Sequence, residues 1–148
     1  MYPFLTGHTD TESAFCNISA WAKGNHLTPE QWLDFMTETF NCPAMKGSDA
    51  RLEHGVPVWR YRYFADWDNI KIFESSGAYH GVDLHMISGN SKGVSGIPES
   101  APQTHLKWAM QKAWATFVEN PEHGLIELGW PKYQKTGETC YGSVTYRT

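Results

Sequence analysis

His80 sits in the stretch "SSGAYHGVDLHMISG", residues 75–89, among the smallest side chains of the molecule. Imidazole is the side chain that changes charge near neutrality, which makes it the usual proton carrier of protein chemistry. To act as a base it must reach a nucleophile and be held through its other ring nitrogen by a carboxylate. The backbone must also let it project into a cleft. Gly77, Ala78 and Gly81 free the backbone around His80 for an exposed loop conformation. Asp83, three positions on, is placed to cap a helix over "VDLHMIS" or to bond backbone amides near His80. The same letters also describe an ordinary surface histidine in a glycine loop. His80 and His85 are five apart with Asp83 between them, whereas a zinc site needs three or four ligands that converge with sensible geometry, and no metal and no cofactor is expected.

A loop of this kind needs rigid elements on either side. Upstream, "VPVWRYRYF", 56–64, is the clearest strand, with Arg60 and Arg62 alternating with aromatic residues. That alternation predicts one face in the core and one covered by arginine, rather than a sugar- or peptide-stacking platform. "YPFLT", 2–6, reads as a short buried strand running into Gly7, and residues 8–26 as polar and mixed. Thr28-Pro29-Glu30-Gln31 opens a helix carrying Trp32, Phe35, Met36 and Phe40, which Asn41-Cys42-Pro43 stops or interrupts. A second short helix is expected over 44–55. Residues 65–69 read as a turn and 90–102 as a loop rich in Gly, Ser and Pro. Residues 103–119 form an amphipathic helix with Leu106, Met110, Ala113, Trp114 and Phe117 on one face; Asn120-Pro121 ends it. A compact apolar segment, "GLIELGWPKY", follows.

Strand, helices, strand, loop, helix is the rhythm of an α/β sheet. Two or three strands are too few to complete one, so a bare edge is expected. The chain has 148 residues, seven each of Trp, Tyr and Phe, and a formal net charge of -4. That supports a packed core and offers no basic patch, so nucleic acid is not an expected partner. No apolar run is long enough for a membrane span. The N-terminus "MYPFLTGHTDTE" lacks the pattern of a signal peptide. Cys16 and Cys42 flank a helical excursion and could form a disulfide; Cys140 completes the three cysteines.

Four blocks resemble a known family: "LTGHTDTESAF" (5–15), "FNCPA" (40–44), "VPVWRYRYFADWDNI…GAYHGVDLHMISG" (56–89) and "MQKAWATFVENPEHGLIELGWPKY" (110–133). Together they are similar to the C-terminal portion of the type B carboxylesterases, the cholinesterase-like branch of the α/β-hydrolases, and most to the fungal members. The likeness covers nearly the whole chain. It implies one C-terminal portion over 1–148, with few strands, flanking helices and an incomplete sheet. It makes His80 the base and Glu12 the acid of a Ser–His–Glu triad, with Ser13 where the family commonly has Gly. Asp10 is the nearest competitor for the acid role. The implied partner is a small-molecule ester in an intact parent, with another chain supplying the N-terminal half as a further candidate. Intact members are often secreted.

That family's nucleophile is the Ser of a Gly-x-Ser-x-Gly elbow between a strand and a helix. Here "GNSKG", 89–93, matches the letters, but Ser91 follows the histidine, whereas the order in that fold is Ser, acid, His. "VSGIPESAP" behind it is expected not to start a helix promptly. The chain by itself is therefore expected to hold acid and base without nucleophile or oxyanion hole, and to be a poor esterase or none. The alternative is a non-catalytic binding protein built from the same fold.

Overall fold

The computed structural model describes residues 2–135. Its centre is a pair of parallel strands, β1 (Phe4–Thr9) and β2 (Val58–Tyr63), with Phe4 opposite Val58 and Thr9 opposite Tyr63. Parallel neighbours need a long crossover, and three helices supply it: α1 (Ser13–Ala22), α2 (Pro29–Met36) and α3 (Cys42–Glu53). After β2 come a 3-10 turn (Asp68–Ile70), α4 (Asp83–Ser88), α5 (Ser91–Ser95), α6 (Ala101–Glu119) and α7 (Gly124–Glu127). This is the expected α/β pattern with a short, unfinished sheet.

β1 extends beyond the expected 2–6 because Gly7 does not end it. A Cβ at Gly7 would lie 2.1 Å from the Tyr61 ring, so the glycine is what lets the two strands pack there. Residues 13–22, inside the segment read only as polar and mixed, are helix α1. The helix start at Thr28 is as expected: Thr28 Oγ1 accepts from the Gln31 amide, and Gln31 Oε1 accepts from the Thr28 amide. Ser100 and Gln103 repeat that arrangement at the start of α6, inside the segment read as loop.

Pro43 does not stop the helix. The chain passes from α2 through one π turn, Thr37–Asn41, directly into α3. Proline has no amide to donate and its ring crowds the carbonyl four residues back, so the preceding turn widens. The Cys42 amide accordingly reaches the Thr37 carbonyl, five residues back.

Two clusters form the core. Leu5, Trp59, Ala113 and Leu125 pack between the sheet and α6–α7. Ala14, Tyr63, Ile70, Tyr79, Val82, Met86 and Met110 pack beneath α4 and α6. Met86 and Leu125 are fully buried, which contributes roughly 1.5–3 kcal/mol each. The other face of β2 carries the arginines: Arg62 pairs with Asp10 at 2.6 Å, and Arg60 lies over the Tyr133 ring.

The two sheet edges differ. On the outer edge of β2, the Tyr133 amide donates to the Val58 carbonyl at 2.7 Å. On β1, the amides of Phe4 and Asp10 point to β2, meeting the carbonyls of Pro57 and Tyr63. By alternation the amides of Leu5, Gly7 and Thr9 point the other way. Among the described residues no strand pairs there. Cys16 is a free thiol, so the Cys16–Cys42 disulfide that the spacing allowed does not form; Cys140 lies outside the described residues.

Candidate active site

The loops that follow the two strands are stitched together. The Thr11 amide donates to the Ala78 carbonyl at 2.9 Å, and Thr11 and Tyr79 form a parallel bridge. This extends the strand pairing into the loops and brings residues 12 and 80 side by side. Gly77 makes the approach possible. Its φ is +55°, and a Cβ there would meet Thr11 Oγ1 at 2.9 Å. Gly81, at φ +81°, turns the chain on the other side of His80.

Glu12 bends back over the end of β1. Its Oε1 accepts from the outward-facing Thr9 amide at 2.6 Å, and its Oε2 accepts from His80 Nδ1 at 2.5 Å. The two groups differ sharply in exposure: the Glu12 side chain is 4% exposed and that of His80 is 53%. A buried carboxylate with both oxygens engaged is a fixed acceptor, and it dictates that the imidazole proton sits on Nδ1. The Nε2 lone pair is then the free end of the ring. This is the geometry of a general base held by an orienting acid. Asp10, the competing acid, is committed to Arg62 instead.

Asp83 does not cap α4. It is the first residue of that helix, and its Oδ2 accepts from the Tyr61 hydroxyl at 2.8 Å. Burial, and then the Asp83 charge, push the Tyr61 phenol well above its ordinary range, so the hydroxyl stays a donor. Residues 12, 61, 80, 83 and 114, with the edge of β1, line an open hollow of about 340 Å³. A second hollow of about 400 Å³ lies between 66–69 and 97–103; no histidine lines it.

Sequence reasoning missed the rings around His80. Phe15 lies with its centroid 6.4 Å from the imidazole and Phe40 at 5.3 Å. Both stood inside quoted blocks, but nothing in their spacing to His80 signals contact.

The Ser91 hydroxyl is bonded to a glutamate, not to a histidine. A helix does start at Ser91, contrary to expectation, but α5 is five residues long. Ser91 is fully buried and its hydroxyl donates to Glu99, which also accepts from Lys107 and Thr104. His85 Nδ1 pairs with Asn90 Oδ1 at 3.1 Å, and among the described residues no three His, Cys, Asp or Glu side chains gather as a metal site. No helix among them is long and apolar enough to cross a membrane.

No family model matches the sequence. Two curated fungal proteins do match. Secreted lipase 5 of Gibberella zeae is 28% identical over 97 residues, 66% of this chain and 18% of that protein. Chlorogenic acid esterase of Aspergillus niger is 30% identical over 87 residues, 59% of this chain and 17% of that protein. Solved structures match over 88% of this chain and 32% of theirs. They are a PNB esterase, with a TM-score of 0.65 at 22% identity, and a thermophilic PNB esterase, at 0.51 and 20%. The chain is similar to the type B carboxylesterases. Its fold is part of an α/β-hydrolase fold. It spans less than a fifth of the length of the curated relatives it matches.

Proposed function

We propose that this chain carries the acid and base of a serine carboxylic-ester hydrolase, with Glu12 as acid and His80 as base. The observation that carries the reading is the 2.5 Å contact between a buried carboxylate and a half-exposed imidazole on adjoining loops. A Ser from sequence outside these 148 residues, in the same polypeptide or a second one, would attack the ester carbonyl. His80 Nε2 takes the hydroxyl proton and returns it to the departing alcohol; water then repeats the cycle and releases the acid. Glu12 keeps the Nδ1–H tautomer and stabilises the imidazolium. The edge of β1 that no strand pairs among the described residues lies beside the hollow; additional strands would join there, and the nucleophile-bearing segment would arrive with them. Carboxylic esters are the substrate class, in keeping with the names of the relatives.

Triad members act as a unit, so the isolated chain should turn over p-nitrophenyl acetate no faster than His80→Ala. Co-expression with the N-terminal part of a fungal relative should raise turnover. In that complex Glu12→Gln should lower it by roughly 10⁴-fold, the size expected when an orienting acid becomes an amide and the base adopts the wrong tautomer. A complex as active with His80→Ala as without it would end the proposal. The rival reading, a non-catalytic binding protein, rests on the same open β1 edge; it gains if the complex forms and stays inactive.

A further inference from the structure

Among the described residues, a single hydrogen bond holds the His80 ring. Its Nδ1 meets Glu12 at 2.5 Å, its side chain is about half exposed, and left-handed Gly77 and Gly81 lie close on either side. A single hydrogen bond leaves the ring free to swing about that contact. Two aromatic rings limit the swing: Phe15 at 6.4 Å, tilted 55°, and Phe40 at 5.3 Å, tilted 46°. Phe40 is the nearer, and it is itself supported. Trp32 packs edge-on against Phe35 at 5.7 Å, and Phe35 against Phe40 at 6.1 Å. Phe15, by contrast, is exposed.

That line of rings depends on an irregular backbone. Phe35 and Phe40 are five residues apart. On a regular α-helix five residues turn the side chain about 140° away, since neighbours on one face are three or four apart. The π turn over Thr37–Asn41 absorbs the extra residue and brings the two rings onto one face. π turns are unfavourable enough to be rare, and they recur at functional sites. Pro43 supplies the cause here, and Phe40 is the side chain the turn redirects.

We infer that Phe40 is a positioning residue for His80, delivered by the π turn, and that it holds the imidazole plane so that Nδ1 stays on Glu12. This deepens the acid–base reading above and rests on it. The test is long-range ¹H–¹⁵N NMR of the full chain, which reports the nitrogen that carries the His80 proton. The wild type should show the Nδ1–H form alone. Phe40→Ala should show a mixture of both tautomers, and Phe40→Tyr should keep the single form. Should Phe40→Ala not fold, Phe40→Leu, which keeps bulk without a ring, carries the same expectation as the alanine variant. A single Nδ1–H form in the folded alanine or leucine variant would overturn the inference. Glu12→Gln separates this failure from the failure of the reading beneath it. If Glu12→Gln shifts the tautomer and the Phe40 variants do not, only the role of Phe40 falls; if Glu12→Gln is silent, the acid–base pair falls with it.

Discussion

Acid should weaken this fold through His8, a residue outside the proposed pair. His8 stands on β1, 8% exposed, on the strand face that meets Arg60 and Arg62. Burial first, and then those two arginines, lower its pKa from 6.5 to about 4. The sign follows from proton counting. Above about 6.5 the ring is neutral in both folded and unfolded chains and pH has no effect through it. Between about 6.5 and 4 the unfolded chain binds a proton that the native one refuses, so stability falls as pH falls. Below about 4 both bind it and the loss levels off. At 1.36 kcal/mol per pH unit the ceiling is roughly 3 kcal/mol. That is a large share of the 5–15 kcal/mol, roughly, that holds a typical domain together. The assay is urea unfolding at several pH values on the wild type and His8→Phe. Phenylalanine keeps a ring in place without titrating, and among the described residues His8 Nδ1 has no hydrogen-bond partner to lose. Other titrating groups are shared, so the difference between the two curves isolates His8. The variant should lose less stability between pH 6.5 and 4, by up to roughly 3 kcal/mol. Parallel curves would refute the argument.

Tyr61→Phe should cost about 1–3 kcal/mol by thermal or urea unfolding, because it leaves the Asp83 carboxylate buried without its donor. The double variant Tyr61→Phe, Asp83→Asn should recover part of that loss, and full additivity would count against the bond. Ser91→Ala should lower stability by about 1–3 kcal/mol through its buried Glu99 contact. It should leave ester turnover by a reconstituted complex unchanged, and a collapse of turnover would restore Ser91 as a nucleophile candidate.

The parts of the fold that were legible in the sequence are those whose side chains act locally. Thr28 and Gln31 satisfy each other's amides within one turn, so the start of α2 could be read from four letters. α1 was not legible, and the reason lies in the candidate site. Its N-cap position is Glu12, whose carboxylate is spent on Thr9 and His80 and caps nothing in the helix. Its large apolar residues Phe15, Ile18 and Trp21 are exposed, so they mark no core-facing stripe. The start of α6 carried the same kind of signal as α2, but Ser100 stood in a segment whose Gly, Ser and Pro content pointed to loop. The π turn was hidden because Asn41-Cys42-Pro43 reads equally as a stop or an interruption, and only the folded chain reveals that the helix widens and continues.

Letters alone offered two acids near the end of β1, and strand geometry separates them. Asp10 continues the alternation that sends Phe4, Thr6 and His8 to one face of β1, where the even-numbered arginines of β2 lie. There Arg62 Nη2 takes it at 2.6 Å, and that charge has no reason to leave. Glu12 lies past the last strand residue, beyond the reach of the alternation, and one methylene longer. Its side chain can double back to the outward-facing amide of Thr9 and still present a second oxygen to the neighbouring loop. The arginine that looked like surface decoration on an aromatic strand thus removes the competing carboxylate. The imidazole at position 80 is left with one acid to bond.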